Sequence, residues 1–433
     1  MTIGDLRRAV EGRVLGVGDD GFDEARRAWN LTIEQPVAAV VEAEHAGDVA
    51  ALVRYARRSG LTVAAQAGGH DASGDVEGVI LLRTGRLDDL RVSARERVAW
   101  AGAGVNWGRV LAEAGPQGLT GLAGSSPVVN VTGYTLGGGL SWFGRRYGWA
   151  SDGVRAFDAV DADGARVRVT GASDPELFWG LRGGGGDFAL VTSLEFDLRP
   201  APSLYGGRVV WRGARSGEVF EAFRGITEAA PPELTVWFNR FAFPGAPPMA
   251  GLDLTYLGDP REGAALVREI DGIGDVVSDD RGPVAVAGLG GITAEPTAPS
   301  SSVARAELLT GLDEGLATEP IDPLISIQVR HLGGALAEAA AGAGASGALR
   351  EPYLLQMLGV GPTADAVAAA RAAQDRLAER FGAVIAGRKP YTLLNPAESA
   401  ADAFPEPVLS RLRALKRSRD PHGVFRANHP VLG

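Results

Sequence analysis

The sequence predicts an α+β protein of two domains, and three observations carry that reading. Strand and helix signals alternate through the first 200 residues, as they do in small α/β units. After Arg199-Pro200-Ala201-Pro202 the texture changes to strands of an antiparallel sheet separated by helices. The 433 residues exceed what one ordinary core accommodates.

The elements follow in order. Residues 37–43 read as a strand, 47–59 as an amphipathic helix, and 61–66 and 78–82 as strands, a compact βαββ unit. Residues 98–103 read as a strand and 107–114 as a helix, followed by a glycine-dense tract over 121–153. Asp163-Gly164 between the apolar runs 154–162 and 165–169 predicts a hairpin. Residues 173–180 read as a short helix with Ser173 as N-cap, and 188–198 as a strand. In the second half, 204–212, 234–243, 251–257, 325–331 and 353–360 read as strands. Residues 215–229, 260–270, 304–311 and 364–381 read as helices, and the low-complexity stretches 296–302 and 335–348 as loops. The basic helix 408–417 is stopped by Asp420-Pro421-His422-Gly423.

Composition removes several classes of function. Hydrophobic residues are 45% and charged residues 22%, ordinary for a soluble globular chain. A net charge of −10 argues against nucleic acid or anionic membrane as a partner. The absence of cysteine excludes disulfides, thiolate nucleophiles and Cys-ligated metals. The N-terminus carries no apolar leader and no 18-residue apolar run occurs, so a cytoplasmic enzyme is expected. The five histidines form no H-E-x-x-H or i, i+4 pair, which disfavours a catalytic metal. Gly102-Ala103-Gly104 fails the G-x-G-x-x-G pattern at Trp107, and neither a P-loop nor a G-x-S-x-G elbow is present.

What remains is glycine. The 61 glycines cluster rather than repeat, in blocks at 66–74, 121–131, 136–139 and 183–186. Successive amides in such turns form nests that suit a pyrophosphate. The first block, Ala65-Gln66-Ala67-Gly68-Gly69-His70-Asp71, ends a strand in two glycines and a histidine. Alone it is most simply a turn with a satisfied imidazole, but glycine also lets backbone pass close to a flat ligand.

These blocks carry a resemblance. Ala67-Gly68-Gly69-His70, Gly102-Ala103-Gly104-Val105-Asn106-Trp107, Gly137-Gly138-Gly139-Leu140-Ser141-Trp142, Arg145-Arg146-Tyr147-Gly148 with Asp152, and Glu176 through Phe188 resemble the berberine-bridge-enzyme-like group of FAD-linked oxidoreductases. The resemblance implies an FAD-binding domain of the PCMH type over 1–200, with α/β subdomains at about 1–95 and 96–200. It also implies a substrate domain over 201–390, an antiparallel sheet backed by helices, and a segment 391–433 that returns to the FAD-binding domain. His70 occupies the position that bonds covalently to the 8α-methyl of FAD in that family. The cysteine that makes a second bond in many members is replaced by Ser126, so a single bond is implied. The arginine usual two residues before the first glycine of the motif is Gln66 here.

By the same resemblance, Gln66, Ala67, Gly68, Gly69, Asp71, Ser125, Ser126, Val129 and Val131 flank the flavin ring and pyrophosphate. Gly137, Gly138 and Gly139 lie against the flavin with Asp152 nearby, Leu190 and Val191 offer backbone to the adenine side, and Asn428 closes over the cofactor. Val129 stands where a small side chain admits O2. On residues 353–358 either Tyr353, Leu355 and Met357 or Leu354, Gln356 and Leu358 face the substrate. Gln356 is a candidate orienter and Tyr391 the candidate acid or base; His331 reads equally as a structural strand residue. The expected function is an oxidase moving hydride from a small-molecule alcohol or amine, such as a secondary metabolite, to FAD and on to O2. The alternatives are a non-redox cyclase or lyase and a dehydrogenase that does not use O2. A monomer or homodimer is expected.

Overall fold

The computed structural model describes residues 3–70 and 72–433. The first sheet runs in the order Arg13–Gly16, Ala39–Glu42, Ile80–Arg83, Val63–Gln66. The last three strands are parallel and Arg13–Gly16 is antiparallel to its neighbour. Helix Ala46–Ser59 makes the crossover between Ala39–Glu42 and Val63–Gln66. It buries Val49, Leu52, Val53 and Ala56, the spacing of one helix face. Its N-terminus is capped by His45, whose ring accepts from the Asp48 amide at 3.1 Å. Strand Val63–Gln66 thus delivers Gly68, Gly69 and His70 at the carboxyl ends of parallel strands, where open α/β sheets bind ligands.

The second sheet is antiparallel, in the order Leu90–Ser93, Val98–Gly102, Leu190–Asp197, Val154–Val160, Arg166–Val169. Asp161 Oδ1 closes the hairpin of the last two by accepting from the amides of Asp163 (3.0 Å) and Ala165 (2.8 Å). The third and largest sheet is also antiparallel. It runs Val276–Asp279, Tyr205–Arg212, Met249–Tyr256, Leu234–Phe241, Ser326–His331, Tyr353–Val360, Ser302–Leu309, with Gly282–Pro283 added to Tyr205–Arg212. Helices Ser216–Ala229 and Ala364–Arg380 cover one face, burying Val236, Phe238, Ile327, Val329, Leu355 and Met357. That packing settles the open register of Tyr353–Val360: Leu355 and Met357 face the helices, so Leu354, Gln356 and Leu358 face the other way.

Several local expectations need correction. Residues 304–311 are not helical; Ser302–Leu309 is a strand paired along its length with Tyr353–Val360. Pairing in a two-sided sheet overrides the helix propensity of its alanines, glutamate and leucines. The cap of helix Pro175–Leu181 is Asp174, whose Oδ1 accepts from Leu177 N at 3.1 Å; Ser173 Oγ instead accepts from Thr170 N. The expected helix 260–270 divides into Pro260–Leu266 and a 3-10 turn, Arg268–Gly272. Edge strands Arg13–Gly16 and Val276–Asp279 carry too little alternation to be read from sequence.

The C-terminal residues pack on the first half. Phe404, Leu409, Leu412, Leu415 and Val431 share a core with Trp107, Trp142, Phe157 and Phe188. Val424 and Phe425 join the core under helix Ala46–Ser59, and Phe425 forms a bridge with Val63. A buried ion cluster fixes this arrangement. Lys416 Nζ donates to Asp187 O, Asp420 Oδ2 and Phe425 O, each at 2.8 Å. Asp187 in turn accepts from the amides of Ala427 (3.2 Å) and Val431 (3.1 Å). No helix among the described residues is long and apolar enough to cross a membrane.

Candidate cofactor and active site

A cavity of about 430 Å³ opens at the carboxyl ends of the first sheet's parallel strands, within the size range of small-molecule sites. One wall is the 66–70 loop. Gly69 has φ of +73°, and a Cβ there would lie 2.8 Å from Gln66 Oε1 and 3.4 Å from Ala28 Cα, so the tight approach requires glycine. Trp29 N donates to the carbonyls of Gly68 and Gly69, both at 3.1 Å. The indole of Trp29 lies parallel to the His70 imidazole, centroids 5.7 Å apart at 22°. His70 is exposed on the cavity wall.

The other walls come from distant parts of the chain. Asn130 caps helix Val131–Leu136 by accepting from Gly133 N, and its Nδ2 donates to Ala103 O (2.8 Å) and Val105 O (2.9 Å). Ala427, Asn428 and His429 form a wall from the C-terminal segment; Asn428 Oδ1 accepts from Ser73 N at 2.6 Å and so spans to the His70 loop. Tyr391 stacks on Phe404 and donates its hydroxyl proton to His429 O at 3.0 Å. Burial raises the Tyr391 pKa well above the ordinary phenol value, with Asp187 adding to the rise. That environment keeps the phenol protonated and works against a base.

The other face of the large sheet, buried against residues of the first half of the chain, carries a polar relay. Arg208 grips Asp253 with Nε and Nη2 at 2.5 and 2.8 Å. Asn239 Nδ2 donates to Asp253 (3.0 Å), Gln328 Nε2 to Asn239 Oδ1 (2.7 Å), Arg330 Nε to Gln328 Oε1 (2.6 Å) and Arg330 Nη2 to Gln356 Oε1 (2.5 Å). The Arg330 guanidinium lies 4.2 Å from the Trp237 ring, which stacks on Trp142 at 3.6 Å. Burial pulls the Arg330 pKa down, and the guanidinium acts electrostatically on Tyr134, which lines the cavity. His331 lies on the opposite, helix-covered face of the sheet, against Tyr353, as a neutral imidazole. Burial, then the nearby Arg145 guanidinium, push its pKa down to about 3, and its Nε2 accepts from Arg145 Nη1 at 2.8 Å.

Of the residues expected at the cofactor, Gln66, Ala67, Gly68, Gly69, His70, Val129, Gly137, Leu190, Val191 and Asn428 line the cavity, as does Tyr391. Ser125, Ser126, Val131, Gly138, Gly139 and Asp152 are not among the lining residues. Val131 is fully buried in the core, and Gly138 packs against Trp149 and Ser346. Gln356 lies on the sheet face, held by Arg330. Asp71 lies outside the described residues. The sequence reading missed Trp29, Asn130, Tyr134 and Arg426, which also line the cavity. Asn130 carried a readable signal as a helix cap; the other three carried none, because their place depends on tertiary packing.

The donor set fits a dinucleotide. The amides of Gly68 and Gly69 donate to no group among the described residues. At Gly185, with φ of +87°, a Cβ would lie 2.5 Å from Tyr391 Oη, so backbone alone can form that wall. Such loops accept anionic and flat groups without competing side chains.

Residues 37–170 match the family model of an FAD binding domain. The chain is 26% identical to (R)-6-hydroxynicotine oxidase of Paenarthrobacter nicotinovorans, over 98% of this chain and 97% of that protein. The chain carries an FAD binding domain and is an FAD-linked oxidoreductase. The berberine-bridge-enzyme-like protein 1 of Physcomitrella patens has the same fold, with a TM-score of 0.86 at 20% identity, covering 100% of this chain and 99% of that one. An FAD-dependent monooxygenase of Fusarium proliferatum is 38% identical, but over only 40% of this chain and 34% of its own length.

Proposed function

We propose that the chain is an oxidase with FAD bonded to His70, acting on a small-molecule alcohol or amine with O2 as final acceptor. The observation that carries this reading is His70 itself, exposed on the wall of a glycine-lined cavity at the carboxyl ends of parallel strands. FAD supplies the two-electron chemistry, accepting hydride from a C–H bond and passing the electrons on. His70 holds the ring end, and with no cysteine in the chain a second thioether is impossible. Gly68, Gly69 and Gly186 offer backbone to the phosphates and ring. Asn428, tied to Ser73, closes the cavity against water. Tyr391 donates a hydrogen bond and forms wall rather than taking a proton. Arg330 and Gln356, locked to each other in the polar relay, orient the substrate. Val129 on the cavity wall leaves room for O2, and the full-length likeness to a protein named an oxidase favours oxidase over non-redox chemistry.

Acid precipitation of the purified protein tests the attachment: a yellow, fluorescent pellet is expected, and a colourless pellet from His70→Ala. A wild-type pellet without flavin removes the covalent bond. Anaerobic mixing with a panel of alcohols and amines should bleach the flavin with at least one compound, and air should restore it with release of H2O2. Turnover without bleaching and without O2 overturns the redox reading.

A further inference from the structure

Strand Ile80–Arg83 runs parallel to Val63–Gln66 and places Arg83 directly opposite Gln66. The Arg83 guanidinium pairs with no carboxylate among the described residues. Its Nε donates to Ala25 O (2.8 Å), its Nη2 to Arg27 O (2.6 Å) and its Nη1 to Gln66 Oε1 (3.4 Å). Gln66 Nε2 donates to Gln35 Oε1 at 2.8 Å, and buried Gln35 reaches back to Arg26 O at 2.6 Å. Three successive carbonyls, of Ala25, Arg26 and Arg27, are therefore held by one side-chain cluster centred on Gln66. The next two residues are Ala28, packed against Gly69, and Trp29, whose indole faces His70. On its other side the segment is tied to the edge of the large sheet: Ser300 N donates to Trp29 O (3.2 Å), Leu31 N to Ser300 O (3.0 Å) and Asn30 Nδ2 to Ser302 O (3.0 Å).

We propose that Trp29 and Arg83 are positioning residues for cofactor attachment, Arg83 fixing the 25–29 segment and Trp29 holding the His70 imidazole in one orientation toward the cavity. This rests on the reading of His70 as the attachment residue. Attachment joins an imidazole nitrogen to the flavin 8α carbon. The nitrogen and the carbon each lose one proton, and the two electrons released reduce O2 to H2O2. The imidazole must present one nitrogen along a single line, and two side-chain torsions set where that nitrogen points. A ring stacked alongside removes most of that freedom before the cofactor arrives, and such orientation governs the rate more than the affinity. The same cluster gives Gln66 a role: its amide oxygen takes the Arg83 guanidinium that reaches the loop from the neighbouring strand.

The test uses full-length protein prepared under riboflavin limitation and then mixed with FAD. FAD affinity is read with His70→Ala added to each protein, where no bond can form. The attachment rate in air is read as the gain of one FAD less two hydrogens in intact mass. Trp29→Leu and Arg83→Met are expected to attach about tenfold more slowly, with FAD affinity within about twofold of wild type, while Trp29→Phe, which keeps a stacked ring, stays near wild type. Equal rates in wild type and both variants overturn the inference, as does a loss of affinity that matches the loss of rate. A wild type that never gains the mass overturns the His70 reading and this inference together, whereas a wild-type gain matched by both variants overturns this inference alone.

Discussion

The two sides of the site are built from different materials. The cofactor side is mostly backbone: Gly68, Gly69, Gly137, Gly185 and Gly186 form its walls, and few charged side chains reach it. The sheet side is mostly side chain, with Arg208, Asp253, Asn239, Gln328, Arg330 and Gln356 linked end to end across neighbouring strands. A site for a constant ligand is met by fixed backbone geometry. On the function proposed above, the substrate is met by side chains, whose exchange leaves the cofactor wall in place. The contrast predicts that damage on one side leaves the other intact.

The largest expected effect is at the clamp behind the cofactor wall. Lys416→Met leaves Asp187 and Asp420, 1% and 0% exposed, without their cation. A loss of about 3–5 kcal/mol in urea unfolding is expected, together with loss of FAD, because Ala427 and Val431 hang on Asp187. FAD affinity at the wild-type level in this variant breaks the link between clamp and wall.

Asp253→Ala strips the Arg208 fork of its buried partner and should lower stability by about 3 kcal/mol. Flavin content should stay at the wild-type level while the KM of any substrate found in the panel rises. Loss of flavin from this variant would show that the two sides are not separable.

Gly185→Ala places a Cβ against Tyr391 Oη at a residue with φ of +87°. The strain, about 1–2 kcal/mol, should appear as roughly tenfold weaker FAD binding, measured by fluorescence quenching.

The last effect builds up gradually, as a pH dependence of stability at His331. The folded pKa of His331 lies near 3, below its ordinary 6.5. Its contribution to stability is present above pH 6.5 and is lost as pH falls from there toward 3, because only the unfolded chain takes up the proton. Up to about 1.4 kcal/mol per pH unit is expected between pH 6 and 4, and His331→Gln should flatten that slope. An unchanged slope assigns it to other groups.

The same contrast explains what could be read from the sequence. Backbone walls demand glycine, so the blocks at 66–74, 136–139 and 183–186 announced the cavity before any fold was known. The hairpin at Asp163-Gly164 and helix Ala46–Ser59 were equally legible, since their signals are local. The relay was not, because Asp253, Gln328 and Gln356 are neighbours only through strand pairing. Ser302–Leu309 was misread for the same reason: its partner strand lies about fifty residues on. Trp29 could not be found at all, since nothing near it in the chain points to His70.

Ala427, Asn428 and His429 form the last wall of the cavity, seated by a cation at Lys416 and a carboxylate at Asp187. A ribosome must therefore translate past the whole sheet side before the cavity exists. Nascent chains carry His70 early, but the cavity around it stays open until residues 427–429 have been made and seated.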